Sequence, residues 1–268
     1  TTPFYAESGG QVGDQGWLGE AAVTDVQKQG DVIVHLLAEG AQAPESGATV
    51  AARVDVARRE ATMRHHTATH LLHAALKQVL GEQVHQAGSL VAPDELRFDF
   101  SFIRAMTPDE LERVETLVNA QILSNRDVSH REMPIAEARE EGAMALFGEK
   151  YGDVVRVIDV PGFSKELCGG THVTSTGSIG AFKIVREEGV AAGVRRIQAV
   201  AGDAAIALVR DRFRVLDRAC EALKASPDEL SERLERLQDR VKEADQLLRE
   251  LRTQLAIART SSLIDRAE

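Results

Sequence analysis

The chain has 268 residues, 43% of them apolar and 28% charged, with a net charge of −10. That is enough for one large or two smaller cored domains of ordinary soluble composition, and the negative balance excludes an indiscriminate nucleic-acid binder. No apolar run nears the roughly 18–20 residues of a membrane helix, and two cysteines without an export leader set no disulfide framework and point to a cytoplasmic setting.

In chain order, residues 1–57 read as a small Gly-rich β subdomain, barrel-like, with turns at Gly9-Gly10, Gly13, Gly16 and Gly19 and strands at 21–26, 31–37 and 48–56. At Ala57 the period changes. From 58 to 80 there is no Gly or Pro, and Leu72, Ala75, Leu76, Val79 and Leu80 recur at helical spacing. Strands are expected at 83–91 and 95–102. Thr107-Pro108-Asp109-Glu110 then opens a second helix with a capping box. Further strands at 154–160, 180–186 and 194–200 make residues 58–202 an α+β core.

Residues 203–268 read as helical. A helix over 205–223 leads to a second capping box at Ser226-Pro227-Asp228-Glu229. Leu230, Leu234, Leu237, Val241, Ala244, Leu248, Leu251 and Leu255 then form an a/d heptad seam, a coiled-coil segment. Its cover is either a second chain, giving a homodimer, or the preceding helix folded back. The start at Thr1-Thr2-Pro3 and the unfinished helical pattern at the end read as a piece of a longer protein. The basic spots at Arg58, Arg59, Arg64 and Arg195-Arg196 are either local RNA contacts or ordinary surface ion pairs.

The chemistry is concentrated in two short motifs. His66 and His70 lie four apart on the first long helix and so share a face. Cys168-Gly169-Gly170-Thr171-His172 offers a thiolate and a third imidazole, with two glycines to let the backbone turn tightly. Three nitrogens and one sulfur suit Zn²⁺, with Cys168 bound as thiolate, so affinity is expected to fall as pH drops. His73 is a second choice beside His70, and His65 projects about 100° from His66. His35, His85 and His130 stand alone and read as ordinary residues. Metalloproteases place a Glu inside the helical pair; Thr67 stands there instead. The metal is therefore read as an anchor for the substrate end rather than as the activator of water.

With those residues in view, the chain resembles the alanyl-tRNA synthetases, in their editing region and the start of their C-terminal helical region. The resemblance rests on Thr2-Pro3-Phe4-Tyr5-Ala6-Glu7-Ser8-Gly9-Gly10-Gln11-Val12-Gly13-Asp14, on 64–72, on Gln86-Ala87-Gly88-Ser89 and on 168–173. It implies hydrolysis of Ser-tRNA(Ala) and Gly-tRNA(Ala), with the tRNA(Ala) acceptor end as partner and zinc as cofactor on His66, His70, Cys168 and His172. It also implies Thr69, Gln86 and Ser89 beside the aminoacyl group, and no tRNA charging by this segment. Read from the residues alone, Thr69 is equally a helix residue bonded to its own backbone, and Gln86 and Ser89 turn formers at Gly88. The Gly-rich lead either offers backbone amides to RNA or is a string of β-turns. Two other functions remain: a freestanding trans-editing deacylase of the same superfamily, and a non-catalytic zinc-stabilised module for tRNA binding or dimerisation.

Overall fold

A computed structural model describes residues 1–144 and 152–264; positions 145–151 of the expected core and 265–268 of the expected helical tail lie outside the described residues. The fold is α+β, built on antiparallel sheets. The first sheet holds β1 (Gly16–Leu18), β2 (Ala21–Gln29), β3 (Val32–Leu37) and β4 (Ala52–Val54) in the order β3-β2-β1-β4. β3 and β4 are its two edges and do not pair, so the expected barrel is an open sheet. The reason is length: β1 and β4 have three residues each, too short a ribbon to coil one edge round to the other. A small core of Phe4, Val23 and Val26 packs on this sheet. The strand expected over 48–56 shrinks to β4, because 48–51 are exposed and unpaired with β1.

Helix α1 (Val56–Leu80) carries the site. Asp55 caps it by accepting from the Arg58 amide at 3.1 Å, and Gly81 ends it at φ 113°. From His65 to Leu76 every residue is buried. The hydroxyls along this buried stretch are satisfied within the helix: those of Thr62, Thr67 and Thr69 each donate to the carbonyl four residues back.

The second sheet, in the order β10-β11-β6-β5, supplies the main core. It comprises β5 (Gln86–Val91), β6 (Leu96–Ser101), β10 (Phe182–Ala191) and β11 (Val194–Ala201). On β6 the alternate residues Leu96, Phe98 and Phe100 are fully buried, in one cluster with Leu72 and Leu76 of α1 and Val114 and Val118 of α2 (Pro108–Leu123). α2 starts at the expected capping box, with Thr107 Oγ1 accepting from the Glu110 amide at 3.2 Å and Glu110 accepting from the Thr107 amide at 2.8 Å.

The third sheet, β7-β8-β9, comprises β7 (Ser129–Pro134), β8 (Val154–Val160) and β9 (Ser164–Leu167), with α3 (Ile135–Glu140) after β7. β7, α3 and β9 are absent from the sequence reading. β7 buries only Met133 and β9 is four residues long, so neither carries an alternation to read.

The backbone divides into two compact units, Thr1–Ala207 and Leu208–Glu268. The second holds most of α4 (Asp203–Leu223), then α5 (Leu230–Ile264) entered through the expected Ser226 capping box. Along α5, Leu234, Leu237, Val241, Leu248, Leu251 and Leu255 are each more than 40% exposed. α4 therefore does not cover this seam. No helix among the described residues is long and apolar enough to cross a membrane.

Candidate metal centre and its cavity

His66 and His70 leave α1 one turn apart with their rings stacked, 5.2 Å between centroids and 11° between planes. The loop after β9 brings Cys168 and His172 onto them. The four ligand atoms all lie within 4.8 Å of one another. Cys168 Sγ is 3.4 Å from His66 Nε2 and 3.3 Å from His172 Nε2. A tetrahedral ion with bonds of about 2.0–2.1 Å to nitrogen and about 2.3 Å to sulfur would set such edges at about 3.3–3.6 Å.

Each histidine has its other ring nitrogen tied down. Gln11 Oε1 lies 2.7 Å from His66 Nδ1 and also accepts from the Thr171 amide at 2.9 Å. Thr67 spends its proton on the Met63 carbonyl, so its oxygen accepts from His172 Nδ1 at 3.2 Å. Glu166 Oε2 takes His70 Nδ1 at 2.6 Å. All three imidazoles are thereby held with Nδ1 protonated and Nε2 presenting its lone pair inward. His70 Nε2 is buried with no hydrogen-bond partner among the described residues. An orphaned acceptor in that position, amid two imidazoles and a thiol, is what a bound cation satisfies; the residues fit a metal ion.

The electrostatics agree. Burial opposes ionisation of Cys168, but His66, His172 and His70 outweigh it and hold the thiol well below its ordinary value, favouring thiolate. Burial and His66 push His172 down to about 3, keeping it neutral as a ligand must be. Burial also opposes charge on His70, yet the Glu166 carboxylate and Cys168 overcome it and raise His70 above its ordinary value. The same field favours a metal cation where the second proton would sit. Burial would raise Glu166, but His70 and His73 keep it ionised. Replacing Glu166 by Gln is expected to weaken metal binding by about 10–100-fold, read by competition with a chromophoric chelator.

The other histidines fall outside the cluster. His73 Nδ1 is 3.2 Å from Glu166 Oε1, with its ring against Phe98. His65 lies between the Ala61 carbonyl and the Ala201 amide. His35 meets Thr2 and Phe4, and His85 and His130 are exposed.

The two glycines of the loop differ from their sequence rationale. Neither has a positive φ, and nothing crowds Gly169. Gly170 is required by proximity: a Cβ there would overlap the His66 ring and stand 2.8 Å from Gln11 Oε1. Arg156 holds this loop by donating to the Gly170 carbonyl at 2.7 Å. Gly170→Ala is therefore expected to displace His66 and reduce bound metal well below one equivalent while the far-ultraviolet CD spectrum is retained, read by metal analysis beside CD.

Thr69, Gln86 and Ser89 line one cavity of about 300 Å³ together with His66, His70 and Cys168. Thr69 donates to the His65 carbonyl at 2.8 Å, so it is a back-bonded helix residue that also lines the cavity. Gln86 Nε2 points to Ser89 Oγ at 3.4 Å. A larger groove, about 510 Å³ beside Phe102 and Ile103, has no His or Cys among the described residues that line it.

The Gly-rich lead closes one wall of that cavity through Ser8 and Gly9. Its amides largely turn inward: Val12 N donates to the Val91 carbonyl at 3.0 Å and Ser8 N to Gln11 O at 3.2 Å. At Gly10, φ is +82° and the position of a Cβ is filled by Ser89. Of the basic spots, Arg59 pairs with Asp14, Arg64 with Asp203 at 3.3 Å, Arg195 with Glu187 at 2.5 Å and Arg196 with Asp99 at 2.7 Å. Gln11, Thr67 and Glu166 are the site residues that the sequence reading lacks. Their only advance signal is residue type, since their partners lie 55, 105 and 96 positions away.

Comparison with known proteins agrees with this architecture. Residues 155–198 match the family described as "Threonyl and Alanyl tRNA synthetase second additional domain", and residues 1–58 match "tRNA synthetases class II (A)". The chain is 50% identical to the probable chloroplastic/mitochondrial alanine–tRNA ligase of Ostreococcus tauri over 99% of its own length and 28% of the relative's. It is 50% identical to the alanine–tRNA ligase of a Synechococcus strain over 99% of its length and 31% of the relative's. For that of Bordetella pertussis the figures are 51%, 98% and 30%. The chain thus spans less than a third of the length of these relatives. With that extent understood, the chain belongs to the alanyl-tRNA synthetase family.

Proposed function

We propose that this chain is the editing part of an alanine–tRNA ligase and hydrolyses the ester of Ser-tRNA(Ala) and Gly-tRNA(Ala), with zinc held by His66, His70, Cys168 and His172. The observation that carries this reading is the cavity in which three of those ligands face Thr69, Gln86 and Ser89. An activation site sized for alanine cannot strongly reject glycine, and one added hydroxyl is discriminated by only ~10²-fold, so a second hydrolytic sieve is needed. Identity running across 98–99% of the chain, helical tail included, favours a ligase segment over a freestanding deacylase.

When bound, zinc supplies Lewis acidity and a fixed anchor point beside the ester. The chain's own groups do the rest. Thr69, its proton committed to His65, accepts from the substrate's hydroxyl or ammonium. Gln86 keeps its Oε1 for the same donors while its amide holds Ser89. Phe4 and Leu167 give the cavity apolar wall. Among the described residues no carboxylate lines it, and an aminoacyl ester needs less assistance than an amide, so water held by these polar groups suffices.

The test is the deacylation rate on Ser-, Gly- and Ala-tRNA(Ala), with and without a chelator. Hydrolysis of the first two with Ala-tRNA(Ala) spared supports the reading. Binding without hydrolysis supports the non-catalytic module instead.

We assign editing roles to segments 1–57 and 58–202 and association to 203–268, in a reducing cytoplasm where Cys168 escapes oxidation. The exposed α5 seam favours a homodimer, since none of the described residues of its own unit covers it. The double variant Leu237→Lys with Leu248→Lys is expected to sediment as a monomer where the parent sediments as a dimer; a monomeric parent refutes the pairing.

A further inference from the structure

Across the chain carboxylates outnumber Lys and Arg by 42 to 32, yet among the described residues the wall of the metal-side cavity contains no Asp or Glu. It does contain one permanent cation, Lys28, near the end of β2. Lys28 is exposed, and among the described residues its ammonium takes part in no ion pair. Arg59, Arg64 and Arg156 are each committed elsewhere: Arg59 to Asp14, Arg64 to Asp203 and Arg156 to the loop carbonyl of Gly170. Lys28 also comes from a different sheet than the metal ligands, which leave α1 and the loop after β9. Among the described residues, one free positive charge therefore stands on the wall of a cavity that no carboxylate lines, in an acidic protein.

We propose that Lys28 binds the phosphodiester on the 5′ side of the terminal nucleoside, so that the site recognises a nucleotide ester and not only its aminoacyl group. This rests on the deacylase reading. An ester on a 3′-terminal ribose has no negative charge of its own; the nearest lies across the same sugar, at the phosphate on its 5′ oxygen. A cavity of about 300 Å³ has room for an aminoacyl group and a ribose, and with those inside, the phosphate would stand at the rim. A lysine, a point charge on a flexible stem, meets a phosphate without imposing the fixed planar geometry of arginine. In a chain of net charge −10, a local unpaired cation also gives the approaching strand its orientation.

The experiment compares non-hydrolysable 3′-serylamido adenosine with its 5′-phosphorylated form, measuring Kd on the wild-type chain and on Lys28→Ala, Lys28→Glu and Lys28→Arg. The matching seryl esters are assayed in parallel for KM and kcat. We expect the phosphate to tighten binding to the wild type about tenfold. Lys28→Ala loses that increment, Lys28→Glu inverts it, Lys28→Arg restores most of it, and the nucleoside analogue binds all four alike. For the phosphorylated ester the loss falls on KM with kcat unchanged. The phosphate increment should also shrink as salt is raised, because added ions screen an exposed ammonium–phosphate contact. A phosphate increment that is absent in the wild type, or that survives in Lys28→Ala, overturns the proposal, as does an equal loss on the nucleoside. The two readings fail separately. If neither ester is hydrolysed while the increment still depends on Lys28, deacylation falls and the phosphate contact stands; if esters are hydrolysed with no such dependence, the reverse holds.

Discussion

Cys168→Ala is expected to abolish stoichiometric metal binding and to slow deacylation of Ser-tRNA(Ala) by at least about a hundredfold. The effect should exceed that of Glu166→Gln, because outer partners of a ligand typically cost about 10–100-fold whereas Cys168 is itself a ligand and the cluster's one sulfur. Its Sγ is the atom shared between His66 and His172, at 3.4 and 3.3 Å. Without the thiolate, three imidazoles must hold a dication with no compensating charge, since Glu166 lies behind His70 and does not reach the cavity. The fold should persist, because the main core is formed by α1, α2 and the second sheet, and Cys168 only packs against its margin. Metal analysis, CD and single-turnover deacylation on one preparation check all three points. An unchanged rate after complete metal loss would sink any direct part for the metal in the reaction.

Phe98→Ala is expected to destabilise the first unit by about 3–5 kcal/mol, the usual cost of emptying a buried aromatic position. Phe98 is fully buried at the middle of β6, paired in register with Ile197 of β11 and Ser89 of β5. Its ring stands 5.2 Å from His73 and 6.4 Å from Phe100. Loss of the ring therefore removes core volume and also the surface against which His73 is held toward Glu166. Urea unfolding monitored by CD should show the loss as a shift in midpoint. Metal affinity should fall as well, but by less than in Glu166→Gln, since Glu166 keeps its bond to His70.

The legible parts of the structure are those governed by short-range rules. α1 and α2 were readable because 3.6-residue periodicity and cap residues act within one or two turns. His66 with His70, and Cys168 with His172, were readable as pairs for the same reason: four positions on a helix or in a tight loop set two ligands near each other. β7 and β9 were not readable, since an edge strand and a four-residue strand take their conformation from the partner they pair with. The barrel expectation failed at a similar point. Turn glycines announce strands, but edge closure depends on strand length and register across the sheet.

Residue chemistry along the chain determined that a three-histidine, one-cysteine metal set was present, that α1 would carry half of it, and that no carboxylate stood beside His66. Tertiary structure alone decided which groups orient that set. Gln11 reaches His66, Thr67 reaches His172 and Glu166 reaches His70 across 55, 105 and 96 positions, distances over which no periodicity carries information. It alone revealed that Gly170 is needed for the approach of His66 rather than for a turn. It also decided that Lys28 of the first sheet stands on the wall of a cavity whose ligands come from elsewhere. The physical reason is common to all of these: a hydrogen bond, a steric gap or a charge at a cavity rim is fixed by where separate elements pack, and local sequence specifies the elements but not their contacts.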